Sequence, residues 1–89
     1  VKTTFTKSFA KDLKTHNRDK TFLARVQETI LEVEAANKII SIKNLKKLKA
    51  EGSYYRIRVG NYRIGLIIEK EIVTFVRVLH RSEIYRYFP

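Results

Sequence analysis

Tyr54 to Val78 reads YYRIRVGNYRIGLIIEKEIVTFVRV, and the pattern of this stretch decides the fold. Runs of β-branched, aromatic and aliphatic residues are broken by Gly60-Asn61 and again around Glu69-Lys70-Glu71. A Gly-Asn pair between apolar runs is a hairpin signal. Three antiparallel strands are therefore expected, over about 53–59, 62–68 and 72–79, following the strand-reading rules.

Side chains alternate between the two faces of a strand. Arg56 and Arg58 share one face, and Tyr55, Ile57 and Val59 share the other. A two-residue turn at Gly60-Asn61 sets Arg58 opposite Arg63, so Arg56, Arg58 and Arg63 line one surface. Like charges directly opposite destabilise a sheet. An anionic ligand would offset that cost; the plainer account is a solvated face with scattered positive charge. The second turn leaves two registers open. A two-residue turn at Lys70-Glu71 pairs Arg63 with Val78, and a three-residue turn pairs it with Arg77. A slip of one residue exchanges the faces.

Around this meander the chain supplies a helical layer. Residues 2–5 read as a short strand. Thr6 or Ser8 can cap a helix from about Lys7 to His16, with Phe9, Leu13 and Ala10 on its inner face. Asp19 can cap a second helix from Lys20 to about Ala36, marked by Phe22 or Leu23, Val26, Ile30 and Val33. Two helices with a short break form a helical hairpin. Residues 38–53 fit neither period and read as a loop or single turn returning to the sheet, anchored by Leu45 and Leu48. Lys43, Lys46, Lys47 and Lys49 cluster here. They are either a solvated face or contacts to a nucleic-acid backbone. Ser82 can cap a terminal turn containing Ile84 and Tyr85.

The 89 residues are expected to form one domain, 1–89, with a formal net charge of +10. Such an excess favours a polyanionic partner, nucleic acid first and an acidic protein second. Lysines dominate the first half and arginines the second. The planar guanidinium fork suits phosphate, which places the specific contacts in the C-terminal half. There is no cysteine, hence no disulfide and no thiolate metal site. No apolar run approaches the roughly eighteen residues of a membrane span, and no signal-peptide pattern opens the chain. A cytoplasmic protein is expected.

No carboxylate pair, glycine-rich phosphate loop or serine, cysteine or metallohydrolase motif is present. Any catalysis must use arginine, lysine, tyrosine, glutamate and a histidine; the two histidines are His16 and His80. This set suits metal-free RNA cleavage, in which the 2′-hydroxyl attacks the adjacent phosphate. Arginines neutralise the phosphoryl oxygens, and a histidine, tyrosine or lysine exchanges protons. DNA lacks the nucleophile. No metal and no organic cofactor is called for.

The run Tyr-Arg-Ile-Arg-Val-Gly-Asn-Tyr-Arg, continued to HRSEIY, resembles the C-terminal core of the RelE/ParE toxin superfamily. The Leu45–Leu48 segment and the preceding strand and helices fit as well. The resemblance implies an α+β fold of the RelE-like, microbial ribonuclease type: a small twisted antiparallel sheet with an N-terminal helical hairpin packed on one face. It also implies the toxin of a type II toxin–antitoxin system, a ribosome-dependent endoribonuclease that cuts translated mRNA in the A site. The implied partners are a cognate antitoxin, the messenger and 16S rRNA, with operator DNA bound through the antitoxin.

Matched to the family pattern, Arg63 binds the scissile phosphate, Arg81 supports it or the leaving oxygen, and Tyr85 stacks on a base or orients the 2′-hydroxyl. Arg56 and Arg58 steer the backbone, with Lys43, Lys46 and Lys47 as further RNA contacts. His80 is the candidate acid or base, because arginine stays protonated. The known RelE form has lysines at the positions of Arg56 and Arg58, and a longer spacing from the terminal arginine to the tyrosine. The alternatives are a ParE-like toxin acting on DNA gyrase and a nucleic-acid-binding module without catalysis. Retention of Arg81 and Tyr85 favours the nuclease.

Overall fold

The computed structural model describes residues 1–49 and 51–89. In chain order the elements are β1 (Lys2–Phe5), α1 (Lys7–Thr15), α2 (Lys20–Ala35), a 3-10 turn (Ile39–Ser41), β2 (Leu45–Lys47), β3 (Tyr54–Val59), β4 (Tyr62–Glu69), β5 (Ile72–His80) and α3 (Ile84–Tyr87). The strands form one sheet in the order β1-β5-β4-β3-β2. β3, β4 and β5 are antiparallel as expected, and β2 adds a further antiparallel strand beside β3. β1 joins β5 in parallel, with Phe5 beside Phe75, so the complete sheet is mixed. Parallel neighbours need a long crossover, and here everything between β1 and β5 provides it.

The helices start where side-chain caps satisfy their first free N–H groups. Thr6 Oγ1 accepts from Phe9 N at 3.1 Å, and Asp19 Oδ1 accepts from Phe22 N at 3.0 Å. Both helices bury an apolar stripe against one sheet face. The shared core holds Phe9 from α1, Phe22, Val26 and Val33 from α2, Ile57 and Val59 from β3, Ile64 and Leu66 from β4, and Val73, Phe75 and Val78 from β5. Each such side chain contributes roughly 1.5–3 kcal/mol through its removal from water.

Two expectations need correction. Residues 45–47 were expected in a loop but form β2, with Leu45 opposite Ile57 and Lys46 opposite Arg56. Three residues are too few to show a period, so only the partner strand reveals the pairing. On α1, Ala10 is exposed, and the buried polar residue is Asp12. Asp12 accepts from Arg77 Nε at 2.8 Å, Arg77 Nη2 at 3.0 Å and the Val78 backbone N–H at 3.0 Å. The carboxylate thus satisfies an edge donor of β5 beyond the end of β1 and binds α1 to the sheet. It forms the one ion pair among the described residues. No helix among those residues is long and apolar enough to cross a membrane.

Candidate functional site

The Gly60-Asn61 turn is the two-residue turn that its sequence predicts: Val59 pairs with Tyr62, and Arg58 stands directly opposite Arg63. Gly60 has φ of 59°, a left-handed geometry that glycine adopts without strain. The second turn is also of two residues, closing at Glu69–Ile72. Neither proposed register for Arg63 survives, however. A β-bulge skips Val76, so Gly65 pairs with Arg77 and Arg63 with Leu79. A bulge adds one residue to one strand, and nothing in the local sequence marks it.

Arg56, Arg58 and Arg63 therefore share the face turned away from the helical layer. The Arg63 guanidinium is held below the ordinary arginine range by burial, by the positive charges of Arg56 and Arg58 and, more weakly, by Arg81, while Tyr85 opposes the shift. The two arginines of the hairpin, the arginine after β5 and the tyrosine of α3 all act on one guanidinium. Its Nη1 donates to the carbonyls of Gly60 and Tyr62, each at 2.9 Å. This pins one arm of the fork to the turn and leaves Nε and Nη2 without a partner among the described residues. Arg56 donates to Asn44 O at 3.3 Å, and its Nε is buried with no partner. The free Nε and Nη2 of Arg63, beside like charges, have the charge and planar geometry that suit an anion such as phosphate.

Arg81 reaches this end of the sheet because its backbone N–H donates to Asn61 O at 2.8 Å, extending the ladder past β5. Tyr85 is brought there by α3, which folds over the open face with Ile84 and Phe88 buried and Tyr85 56 % exposed. Lys46, the cross-strand partner of Arg56, is on the same face.

Other expected site residues are elsewhere. His80 pairs with Tyr62, whose ring packs 4.5 Å from Phe22 and 5.4 Å from His16 in the helical layer. The His80 ring is edge-on to Tyr62 at 5.7 Å, on the face opposite Arg63. Its Nδ1 accepts from the Ser82 backbone N–H at 3.2 Å and is 2.8 Å from Ser82 Oγ. Ser82 thus engages His80 rather than capping α3, whose N-cap is Glu83 without a side-chain bond. Lys47 pairs with Tyr55 and points to the helical side. Lys43 lies beside Glu32 and Ala36 near the end of α2. Strand alternation separates Lys46 from Lys47, and Lys46 is on the arginine face. Arg77 is committed to Asp12.

Sequence reasoning missed Gly65. It sits mid-strand between Arg56 and Arg77, and a Cβ there would come within 2.5 Å of the Phe88 ring. A glycine inside a strand signals a close approach, and that signal was available in YRIGLII. The face is an open surface. A cleft of about 480 Å³ lies at the far end of the sheet, lined by Val1, Lys38 and the Lys70-Glu71 turn, away from the arginines. No group of three His, Cys, Asp or Glu able to hold a metal occurs among the described residues.

The family model of the ParE toxin of type II toxin–antitoxin systems (parDE) matches residues 4–85. Toxin RelE3 of Methanocaldococcus jannaschii is 44 % identical over an alignment of 93 residues that spans both chains completely. The toxin chain in a crystal structure of a RelB–RelE antitoxin–toxin complex from Methanococcus jannaschii is 43 % identical, with a TM-score of 0.71 over 97 % of this chain and 99 % of that one. YafQ of Escherichia coli shares the fold at 12 % identity, with a TM-score of 0.73 over 93 % of this chain and 96 % of its own. The chain belongs to the ParE toxin family of type II toxin–antitoxin systems and, within the RelE/ParE superfamily, is a toxin of RelE type.

Proposed function

We propose that this toxin is a metal-independent endoribonuclease that cuts messenger RNA during translation, in the ribosomal A site. The observation that carries the reading is the placement of Arg56, Arg58 and Arg63 on one sheet face, with Arg58 directly opposite Arg63 and the Arg81 backbone tied to the Gly60-Asn61 turn. In this reading the 2′-hydroxyl forms a bond to phosphorus, the bond to the 5′-oxygen breaks, and a cyclic phosphate and a 5′-hydroxyl result. Charge on the phosphoryl oxygens grows in the transition state, and donors already aimed at it lower the barrier.

Arg63 holds the scissile phosphate through Nε and Nη2. Arg81 supports the same phosphate or the departing oxygen. Tyr85 orients the 2′-hydroxyl or stacks on the neighbouring base, and its exposed hydroxyl is able to exchange a proton. Arg56, Arg58 and Lys46 hold the flanking backbone and 16S rRNA. Guanidinium charge does the work that a metal does in other nucleases. His80 has no part in this scheme.

The toxin acts as one domain in the cytoplasm and is neutralised by a cognate antitoxin, consistent with the relative solved as a RelB–RelE antitoxin–toxin complex. An acidic or amphipathic antitoxin segment would compensate the net charge of +10, and the pair would bind operator DNA through the antitoxin. A second reading, inhibition of DNA gyrase, is favoured by the match to the ParE family model.

Sequencing RNA ends after brief expression separates the two. Cuts confined to translated regions support the nuclease. Intact messengers with loss of negative supercoiling support gyrase as the target.

A further inference from the structure

α3 spans four residues and begins without a side-chain cap. So short a helix has no stability of its own in water, so its position is set by what it docks against. Ile84 and Phe88, four residues apart and 0 % and 3 % exposed, face the sheet. Phe88 fills the space over Gly65: a Cβ on that glycine would lie 2.5 to 2.8 Å from three atoms of the ring. Gly65 has no positive φ, so the backbone does not demand glycine there; the space does. The Tyr54 ring closes one side of the notch, edge-on to Phe88 at 5.8 Å. Tyr87 lies under the Arg77 guanidinium at 5.5 Å, and Asp12 fixes that guanidinium.

The notch lies in the middle of the arginine face. Gly65 is two residues from Arg63 on the same strand face and is the cross-strand partner of Arg56. With Phe88 seated there, Tyr85, three residues earlier, is exposed and within electrostatic reach of Arg63. We infer that Phe88 and Gly65 are positioning residues: the ring in the glycine notch holds Tyr85 at the phosphate site, and activity depends on that contact rather than on any chemistry of Phe88. The inference rests on the nuclease reading for its kinetic test but not for its spectroscopic one.

The kinetic test uses messenger-programmed ribosomes under single-turnover conditions. Phe88→Ala is expected to slow cleavage about a hundredfold, the scale of a misplacement near 1 Å, with half-saturation unchanged because the arginines remain in place. Gly65→Ala displaces the same ring from the opposite side and gives the same loss. Phe88→Leu, which still fills the notch, restores most of the rate. Adding Phe88→Ala to Tyr85→Ala causes no further loss, because Phe88 acts through Tyr85. Losses that multiply, or a Phe88→Ala toxin at full rate, overturn the inference.

The spectroscopic test needs no activity. In Phe88→Ala the Arg63 Nε–H resonance moves to the position it takes in Tyr85→Ala, while the amides of the Gly60-Asn61 turn stay in place. An Arg63 resonance unmoved by Phe88→Ala overturns the positioning role. A wild-type toxin that cleaves no messenger overturns the nuclease reading instead, and the resonance then decides the positioning question alone.

Discussion

Arg58 and Arg63 stand directly opposite one another across β3 and β4. A guanidinium stays protonated at every working pH, so their repulsion cannot be relieved by titration; salt or an anion must relieve it. Arg63 accordingly sits below the ordinary arginine range, first through burial and then through Arg56 and Arg58. Replacing Arg63 with alanine is expected to lower messenger cleavage about 100- to 1000-fold, the cost of deleting one preorganised donor at developing charge. Growth arrest is lost with it, and antitoxin binding, read by co-purification, is largely kept. Undiminished arrest would remove Arg63 from the site.

The lysines give a finer test of the same face. Lys46 pairs with Arg56, whereas Lys47 pairs with Tyr55 on the other side. Lys46→Ala is expected to weaken RNA binding and to reduce the slope of log affinity against log salt by about 0.7, the value for one phosphate contact on a single strand. Lys47→Ala and Lys43→Ala should leave that slope unchanged. Equal effects from all three would mean that affinity follows net charge and not this face.

His80 provides a negative prediction. Its ring lies against Tyr62, and its Nδ1 accepts from Ser82 N. His80→Gln should retain cleavage within about threefold of wild type, well short of the 10²-fold or greater contribution of a general acid or base, with the pH–rate profile unmoved. Loss of one limb of that profile would restore the histidine to the chemistry.

Stability should be most sensitive at Asp12. Its side chain is 9 % exposed and that of Arg77 is 25 %, and the carboxylate also holds the Val78 N–H. Asp12→Ala leaves a guanidinium and an edge N–H unsatisfied and is expected to cost about 2–3 kcal/mol in urea unfolding. A cost below about 0.5 kcal/mol, typical of a surface substitution, would show that the pair is solvent-screened.

The Lys70-Glu71 turn predicts the opposite sign. Both residues have positive φ, 50° and 64°, a conformation that costs an ordinary side chain roughly 1–2 kcal/mol. The double change Lys70→Asn, Glu71→Gly supplies the preferred two-residue hairpin turn. It is expected to raise the thermal midpoint by several degrees, at about 4–8 °C per kcal/mol for a domain of this size. The turn lies at the far end of β4 from the Gly60-Asn61 turn, so cleavage should not change.

What could be read from the residues alone was local. Alternation put Arg56, Arg58 and Arg63 together because side-chain period and a two-residue turn are short-range properties. The helices were legible for the same reason: Thr6 and Asp19 cap their own chains within three residues. The resemblance in YRIRVGNYR added Arg81 and Tyr85. Tertiary structure decided everything that depends on a partner distant in sequence. A bulge at Val76 set Leu79 opposite Arg63, and β2 existed only by pairing with β3. Asp12, 65 residues before Arg77, engaged that arginine in an ion pair, and cross-strand pairing carried His80 to the helical face. Phe88 found the notch at Gly65 because α3 folds back over the sheet. In each case the deciding energy is a contact between segments whose own patterns are silent about one another.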